Sequence, residues 1–234
     1  KKSFKILMSK ILLSKDLNKI ENLKVKDIKK LVSSFQITEE TYKNNKYIGK
    51  YKIFYNEKKI KAFLGKKNIS FSQPDNVTVI FFPLLVVNDE LKSFNENYFY
   101  IKWNEIEIRN ELINFILPID DLEDVSKIAE MQNKIEDLDI KSLVDKYDVK
   151  NYVFAIIDYK NKNLDIHLKT KFNNSNVSKN FNYKINNFDD KKKLNFILKN
   201  LKVKITDMWK EENLINILMP LSIRLKFNHK DLED

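Results

Sequence analysis

The sequence predicts an α/β protein of the α+β kind: two two-layer modules, each a small mixed sheet covered by helices. Three observations carry that expectation. The runs "VTVIFFPLLVV" (77–87) and "NYVFAIIDYK" (151–160) are apolar on both faces, as central strands are. Other stretches alternate strictly, "NLDIHLKTKF" above all, as half-buried strands do. Between them lie segments with apolar residues at helical spacing, each with one face to bury. The polar, aromatic stretch 88–112 parts two such sets. The expected organisation is therefore a module over 1–87, a connector over 88–112 and a second module over 113–234, cut short at its C-terminus.

In order along the chain, Phe4, 6–8 and 11–13 predict a helix, and Val25, Ile28, Leu31 and Val32 a second. Phe35, Ile37 and Thr41 alternate into a strand, and Asn44-Asn45 fits a hairpin turn. The returning strand has Tyr47, Gly49, Tyr51, Ile53 and Tyr55 on one face and Ile48, Lys50, Lys52 and Phe54 on the other. A two-layer module buries one of those faces under a helix, so the tyrosines are expected in or beside the core. Asn56 can cap the next helix, with Ile60, Phe63 and Leu64 inward and Gly65 in a left-handed position at its end. A short helix is expected around 98–104. Then follow a strand at 113–119, two helices ("DDLEDVSKIAEM", "DIKSLVDKYD"), the two strands quoted above and a third at "NFNYKI". The helix expected over 190–210 has a stripe of Leu194, Leu198, Leu201, Ile205 and Met208, with Lys202 on its exposed flank. "LINILMPLSIRLKF" closes as a strand that Pro220 places at an edge or a bulge.

Composition limits the function classes. A hydrophobic content of 43% supports a buried core, and no apolar run is long enough for a membrane-spanning helix. The absence of cysteine excludes disulfides, thiolate metal sites and cysteine nucleophiles. The net charge of +10 points to an anionic partner. Of the 43 basic residues, however, only Arg109 and Arg224 are arginine, the residue that base and phosphate recognition most uses. Glycine, proline and alanine are scarce while lysine, asparagine, isoleucine and phenylalanine abound. That is the signature of AT-rich codons, and it predicts that many lysines simply coat wet faces.

The candidates for chemistry are few. His167 falls on the polar face of its strand beside Asp165 and Lys169, and His229 near the C-terminus; neither has a partner at a metal or triad spacing. Asp120, Asp121, Glu123 and Asp124 follow a strand at Pro118 and are weak candidates for a cation site. They lack the spacing and glycine of a calcium loop, and carboxylates at a helix start cap free N–H groups without any metal. Gly49 and Gly65 are isolated, so no glycine-rich phosphate loop exists, and there is no GxSxG elbow. Trp209 beside Glu211 and Glu212 reads as a packed indole with solvated charge. The residues thus name no catalytic, cofactor-binding or metal-binding group, and no cofactor is expected.

The segment "LVSSFQITEETYKNNKYIGKYKIFYNEKKIKAFLGKKNISFSQPDNVTVIFFPLLV" resembles the proteobacterial domain of unknown function 2066 through Tyr47, Tyr51, Ile53, Phe54, Ile60, Leu64, Ile69 and 77–83. "LPIDDLEDVSKIAE" and "LVDKYDVKNYVFAII" resemble its alphaproteobacterial version and the N-terminal module of TolB. The chain departs from that pattern where lysine and asparagine stand at small or arginine positions. The resemblance implies an exported, periplasmic protein with a protein partner in the cell envelope and an interaction or scaffold role rather than catalysis. It supplies no catalytic residues. The start at Lys1 and the polar end "FNHKDLED" fit a removed signal peptide and a longer chain. The readings from other classes are a cytoplasmic, basic nucleic-acid-binding module and a hydrolase whose site carries no recognisable motif.

If Asp120, Asp121, Glu123 and Asp124 cap a helix, calcium or magnesium leaves the melting temperature unchanged, because only a ligand of the native state shifts it. A saturable rise abolished by Asp121→Asn would identify a cation site instead.

Overall fold

The computed structural model describes residues 1–73, 75–106, 112–119 and 144–215. The chain begins with α1 (Lys2–Ile11), a 3₁₀ helix (Ser14–Ile20) and α2 (Val25–Leu31). Then come β1 (Val32–Lys43), β2 (Lys46–Tyr55), α3 (Glu57–Lys66), β3 (Phe71–Ser72), β4 (Val77–Val87) and β5 (Glu90–Lys92). A second 3₁₀ turn (Phe94–Glu96) leads into α4 (Tyr98–Trp103) and β6 (Ile113–Ile116). Last are β7 (Asn151–Lys160), β8 (Asn163–Phe172), β9 (Ser175–Lys184), α5 (Lys191–Glu212) and β10 (Leu214–Ile215). The α+β class is as expected. Contacts divide the chain into two compact units: Lys1–Leu23 with Ser72–Leu214, and Lys24–Phe71 with Ile215–Asp234, of which Ile215 is the last described residue.

The larger unit is organised by β4, apolar on both faces and buried from Val79 to Leu85. It pairs parallel with β6 and β7 and antiparallel with β5, and β7, β8 and β9 continue the sheet in antiparallel steps. The sheet thus joins sequence on both sides of 88–112, the stretch expected to separate two modules. Strand alternation sorts its residues into two cores. Phe81 and Leu85 of β4, Val153, Ala155 and Ile157 of β7, and Leu164, Ile166 and Leu168 of β8 share a core with the α5 stripe of Leu194, Leu198, Leu201, Ile205 and Met208. Phe82, Leu84 and Phe154 turn the other way, against Phe94 and Val144. Val153, with Ala155 and Ile157, therefore shares the α5 core, and Phe154 does not.

Two lysines of α5 are buried. Lys202, expected on an exposed flank, is 3% exposed. Its Nζ lies 5.1 Å from the Trp103 ring centroid, and it donates to the Ile106 carbonyl at 2.6 Å. Trp103 in turn stacks on Phe81 with centroids 3.8 Å apart. The aromatic wall that β4 and α4 build beside α5 widens the helix's buried face beyond its aliphatic stripe, and a cation over an indole is a favourable way to fill that flank.

Lys210 fastens α1 to α5. Its Nζ donates to the carbonyls of Ser9 and Leu12 at 2.8 and 2.7 Å. These are orphan acceptors at the C-terminal end of α1, where a cation also complements the helix dipole. One turn earlier on α5, Asp207 accepts the Ser14 N–H at 3.1 Å, where the 3₁₀ helix begins. The two opposite charges thus satisfy the end of one helix and the start of the next. Burial holds the Lys210 ammonium below its ordinary value, while Asp207 acts in the opposite sense.

With two glycines in the chain, asparagine supplies the left-handed backbone. Asn44-Asn45, Asn88-Asp89 and Asn161-Lys162 all have positive φ and form the two-residue turns of the β1–β2, β4–β5 and β7–β8 hairpins; such turns need positive φ at both central residues. Asn56 caps α3, its side chain accepting the Lys59 N–H at 3.0 Å. Gly65 does not end that helix. It lies inside α3, and Asn68, with φ 52°, takes the left-handed position. The helices expected over "DDLEDVSKIAEM" and "DIKSLVDKYD", and the strand beyond Ile215, lie outside the described residues apart from 144–148, helical at Val144 and Asp145 and a turn over 146–148.

Urea titration tests this packing. Leu201→Ala costs about 2–5 kcal/mol through the cavity it leaves. Lys202→Ala costs roughly 1–3 kcal/mol, since the Ile106 carbonyl loses its donor. Lys210→Ala strips two helix-end carbonyls and costs about 2–4 kcal/mol. In the wild type the unfolded chain binds the Lys210 proton more tightly than the native state. Stability from this group therefore rises as pH climbs from its lowered value to the ordinary 10.5, and Lys210→Ala removes that rise. A Lys210→Ala protein as stable as wild type would rule out the clamp.

Candidate interaction surface

The smaller unit carries an exposed β-hairpin. β1 and β2 pair antiparallel from Val32↔Tyr55 to Lys43↔Lys46, with register shifts at Val32/Ser34 and Ile37/Glu39. Residues 33–48 are exposed without a break. The register gathers Phe35, Ile37, Tyr42, Tyr47, Tyr51 and Ile53 on one face and Ile48, Lys50, Lys52 and Phe54 on the other. Tyr42 is 73% exposed, Phe35 65% and Ile48 60%, so the aromatic face is not core. This corrects the expectation that the tyrosines lie in or beside a core. Among the described residues, strand β2 pairs only with β1, and that two-stranded sheet bears its apolar side chains outward.

Local chemistry shapes the hairpin. The Tyr47 hydroxyl donates to Glu40 at 2.9 Å. That bond, with a second to Tyr51, pushes the Tyr47 phenol up to about 12. Gly49 leaves room for this group, since a Cβ there would come within 2.9 Å of the Tyr51 hydroxyl. Lys50 pairs with Glu39 at 2.7 Å, and Lys52 lies 5.4 Å from the Phe54 ring centroid. At the tip, Lys43 stands directly opposite Lys46, an arrangement of like charge that disfavours the free hairpin.

The charge of the chain is concentrated in this unit. Lys24–Phe71 holds thirteen lysines against Asp27, Glu39, Glu40 and Glu57, a net +9 of the chain's +10. Codon bias alone would spread lysine and leave the balance of carboxylates even. The signal was in the sequence, as a sum over one segment rather than over the whole chain.

The remaining candidates stand elsewhere. His167 lies on the polar face of β8, its Nδ1 hydrogen-bonded to Asn180 across the β8–β9 pair. Asp120, Asp121, Glu123, Asp124 and His229 lie outside the described residues. Among the described residues, no group of three or more metal-ligating side chains is placed to hold an ion. A cleft of about 640 Å³ opens between α4 and the start of α5, lined among others by Tyr98, Lys102, Glu105, Lys191, Asn195 and Lys199. Tyr98 donates to Asn195 and Lys102 pairs with Glu105 across its wall. Trp209 is packed, 4% exposed, and Lys179 pairs with Glu211.

Asp158 is the strained group of the sheet. It faces Asp165 in register, and its buried Oδ1 has no hydrogen-bond partner among the described residues. Burial pushes its carboxyl up, Asp89 and Asp165 push it further, and Lys160 opposes them. Lys160 itself is held by Asp89 at 2.5 Å.

No protein-family model matches the sequence, and no curated protein is similar to it. Among solved structures, the lipoprotein GNA1162 from Neisseria meningitidis aligns with 55% of this chain and 96% of its own, at 8% identity and a TM-score of 0.32. An overlay that loose carries no argument about this chain. Among the described residues, no helix is long and apolar enough to cross a membrane.

The raised Asp158 carboxyl has a pH signature. The native state keeps a proton that the unfolded state has lost, so stability falls as pH rises from the ordinary 3.8 through the raised value. Asp158→Asn removes this loss. The variant is expected to be more stable than wild type at neutral pH, with the difference shrinking as pH falls toward about 4. Thermal melts at several pH values measure it, and a pH-independent difference would refute the assignment.

Proposed function

We propose that this chain is a non-enzymatic interaction module of the cell envelope and that the β1–β2 hairpin is its docking element. The observation that carries the reading is the run of exposed apolar residues on the hairpin: Phe35, Ile37, Tyr42, Tyr47, Ile48, Tyr51 and Phe54. Exposed apolar residues are ordinary when scattered singly. Collected on one element, they mark a surface that another molecule covers. A two-stranded hairpin is also marginal in water by itself, so a bound partner would stabilise it. The place in the envelope, and export to the periplasm, rest on the resemblance of 31–86 to the domain of unknown function 2066.

Photocrosslinking in cells tests the reading. A benzophenone side chain introduced at Tyr42 is expected to capture an envelope component. The same group at Phe196, an exposed phenylalanine of α5, is expected to capture none. Equal labelling from both positions, or none from Tyr42, would end the proposal.

A further inference from the structure

We infer that the surface this hairpin docks on is an anionic phospholipid bilayer, engaged tip-first. The inference rests on the hairpin being the docking element and adds the chemistry of its partner. Tyr42, Tyr47 and Ile48 stand beside the Asn44-Asn45 turn, all more than half exposed, with Lys43, Lys46 and Lys50 interleaved among them. Tyrosine favours the boundary between headgroup and acyl chain, where its ring is dry and its hydroxyl wet. Lysine stems can lie along that boundary and raise their ammonium groups to lipid phosphates. A lysine brought to an anionic leaflet strengthens binding about fivefold. The opposed Lys43 and Lys46, unfavourable in the free hairpin, gain a common counter-charge there.

Other occupants fit less well. Nucleic acid stacks on flat rings and is gripped by guanidinium forks. The tip does carry the rings of Tyr42 and Tyr47, but its cations are all lysine, and Lys24–Phe71 contains no arginine. A second copy would bring +9 against +9, which opposes association. Among the described residues no strand pairs with the outer edge of β1 or of β2, so the hairpin's depth is limited to the interface. Hydrocarbon would leave the backbone groups of those edges unbonded.

The test uses the full chain and vesicles of phosphatidylcholine with or without about 30 mol% phosphatidylglycerol. Sedimentation is expected to show binding to the anionic vesicles, weakened at least tenfold when salt rises from about 0.1 to 0.5 M. Lys43→Glu with Lys46→Glu is expected to weaken binding more than tenfold. Lys191→Glu with Lys192→Glu, the same change in net charge on α5, is expected to weaken it less than threefold. The Tyr42→Ser, Tyr47→Ser, Ile48→Ser triple variant is expected to lose at least tenfold. Insertion is read directly with Tyr47→Trp, whose emission should shift to the blue on anionic vesicles and be quenched by brominated acyl chains. No binding, equal losses from both charge reversals, or an unshifted tryptophan would overturn the inference. So would displacement from vesicles by single-stranded oligonucleotide at equal phosphate concentration, or a dimer in sedimentation equilibrium that the triple variant dissolves. Crosslinking from Tyr42 to an envelope protein, without vesicle binding, would overturn the lipid assignment while leaving the docking hairpin intact.

Discussion

The larger unit depends on one constraint: β4 must be covered on both faces. Its residues from Val79 to Leu85 are buried, and a strand so apolar cannot stand at the surface of a single layer. Parallel pairing with β6 and β7 protects its edges, and the α5 core lies on one side of it. The α5 helix is in turn long enough, at 22 residues, to reach from the aromatic wall around Trp103 to the end of α1. Lys202 lies beside that wall at the middle of the helix, and Lys210 near its C-terminal end. At each of these points an ammonium group donates to backbone carbonyls, and Lys202 also lies over the Trp103 ring.

The smaller unit follows the opposite rule. Its hairpin keeps a strong β pattern, ten paired positions and an Asn-Asn turn, yet its apolar face is exposed. Internal pairing fixes the register without fixing what lies on top. The concentration of lysine on this same segment gives the surface a sign as well as a hydrophobic character. Shape, charge and exposure thus coincide on one element, whereas His167 and the α4–α5 cleft have an internal account in hydrogen bonds and ion pairs.

Much of the architecture could be read from local pattern because the forces there are local. The alternation of "NLDIHLKTKF" sets Leu164, Ile166 and Leu168 on one face, and β8 buries them. The Asn44-Asn45 pair announces its turn because asparagine tolerates positive φ. Asn56 caps its helix through a contact three residues away. Local pattern failed where a neighbour distant in sequence decides. Lys202 reads as a wet residue until Trp103 arrives beside it, about a hundred positions earlier in the chain. Gly65 is a failure within local pattern itself: the helix runs on to Lys66, and Asn68, three residues further, takes the left-handed position.

By itself the sequence determined the α+β class, the central strands, the Asn44-Asn45 turn, the α5 stripe and the location of positive charge, all of which depend on spacing and composition. Tertiary structure alone decided that one sheet joins β4 to β7 across 88–112, that Lys202 and Lys210 are buried, and that the tyrosine face of the hairpin is exposed. The reason is physical. Periodicity says which residues share a face, but the free energy of that face depends on whether another element covers it, and that is a property of the assembled chain.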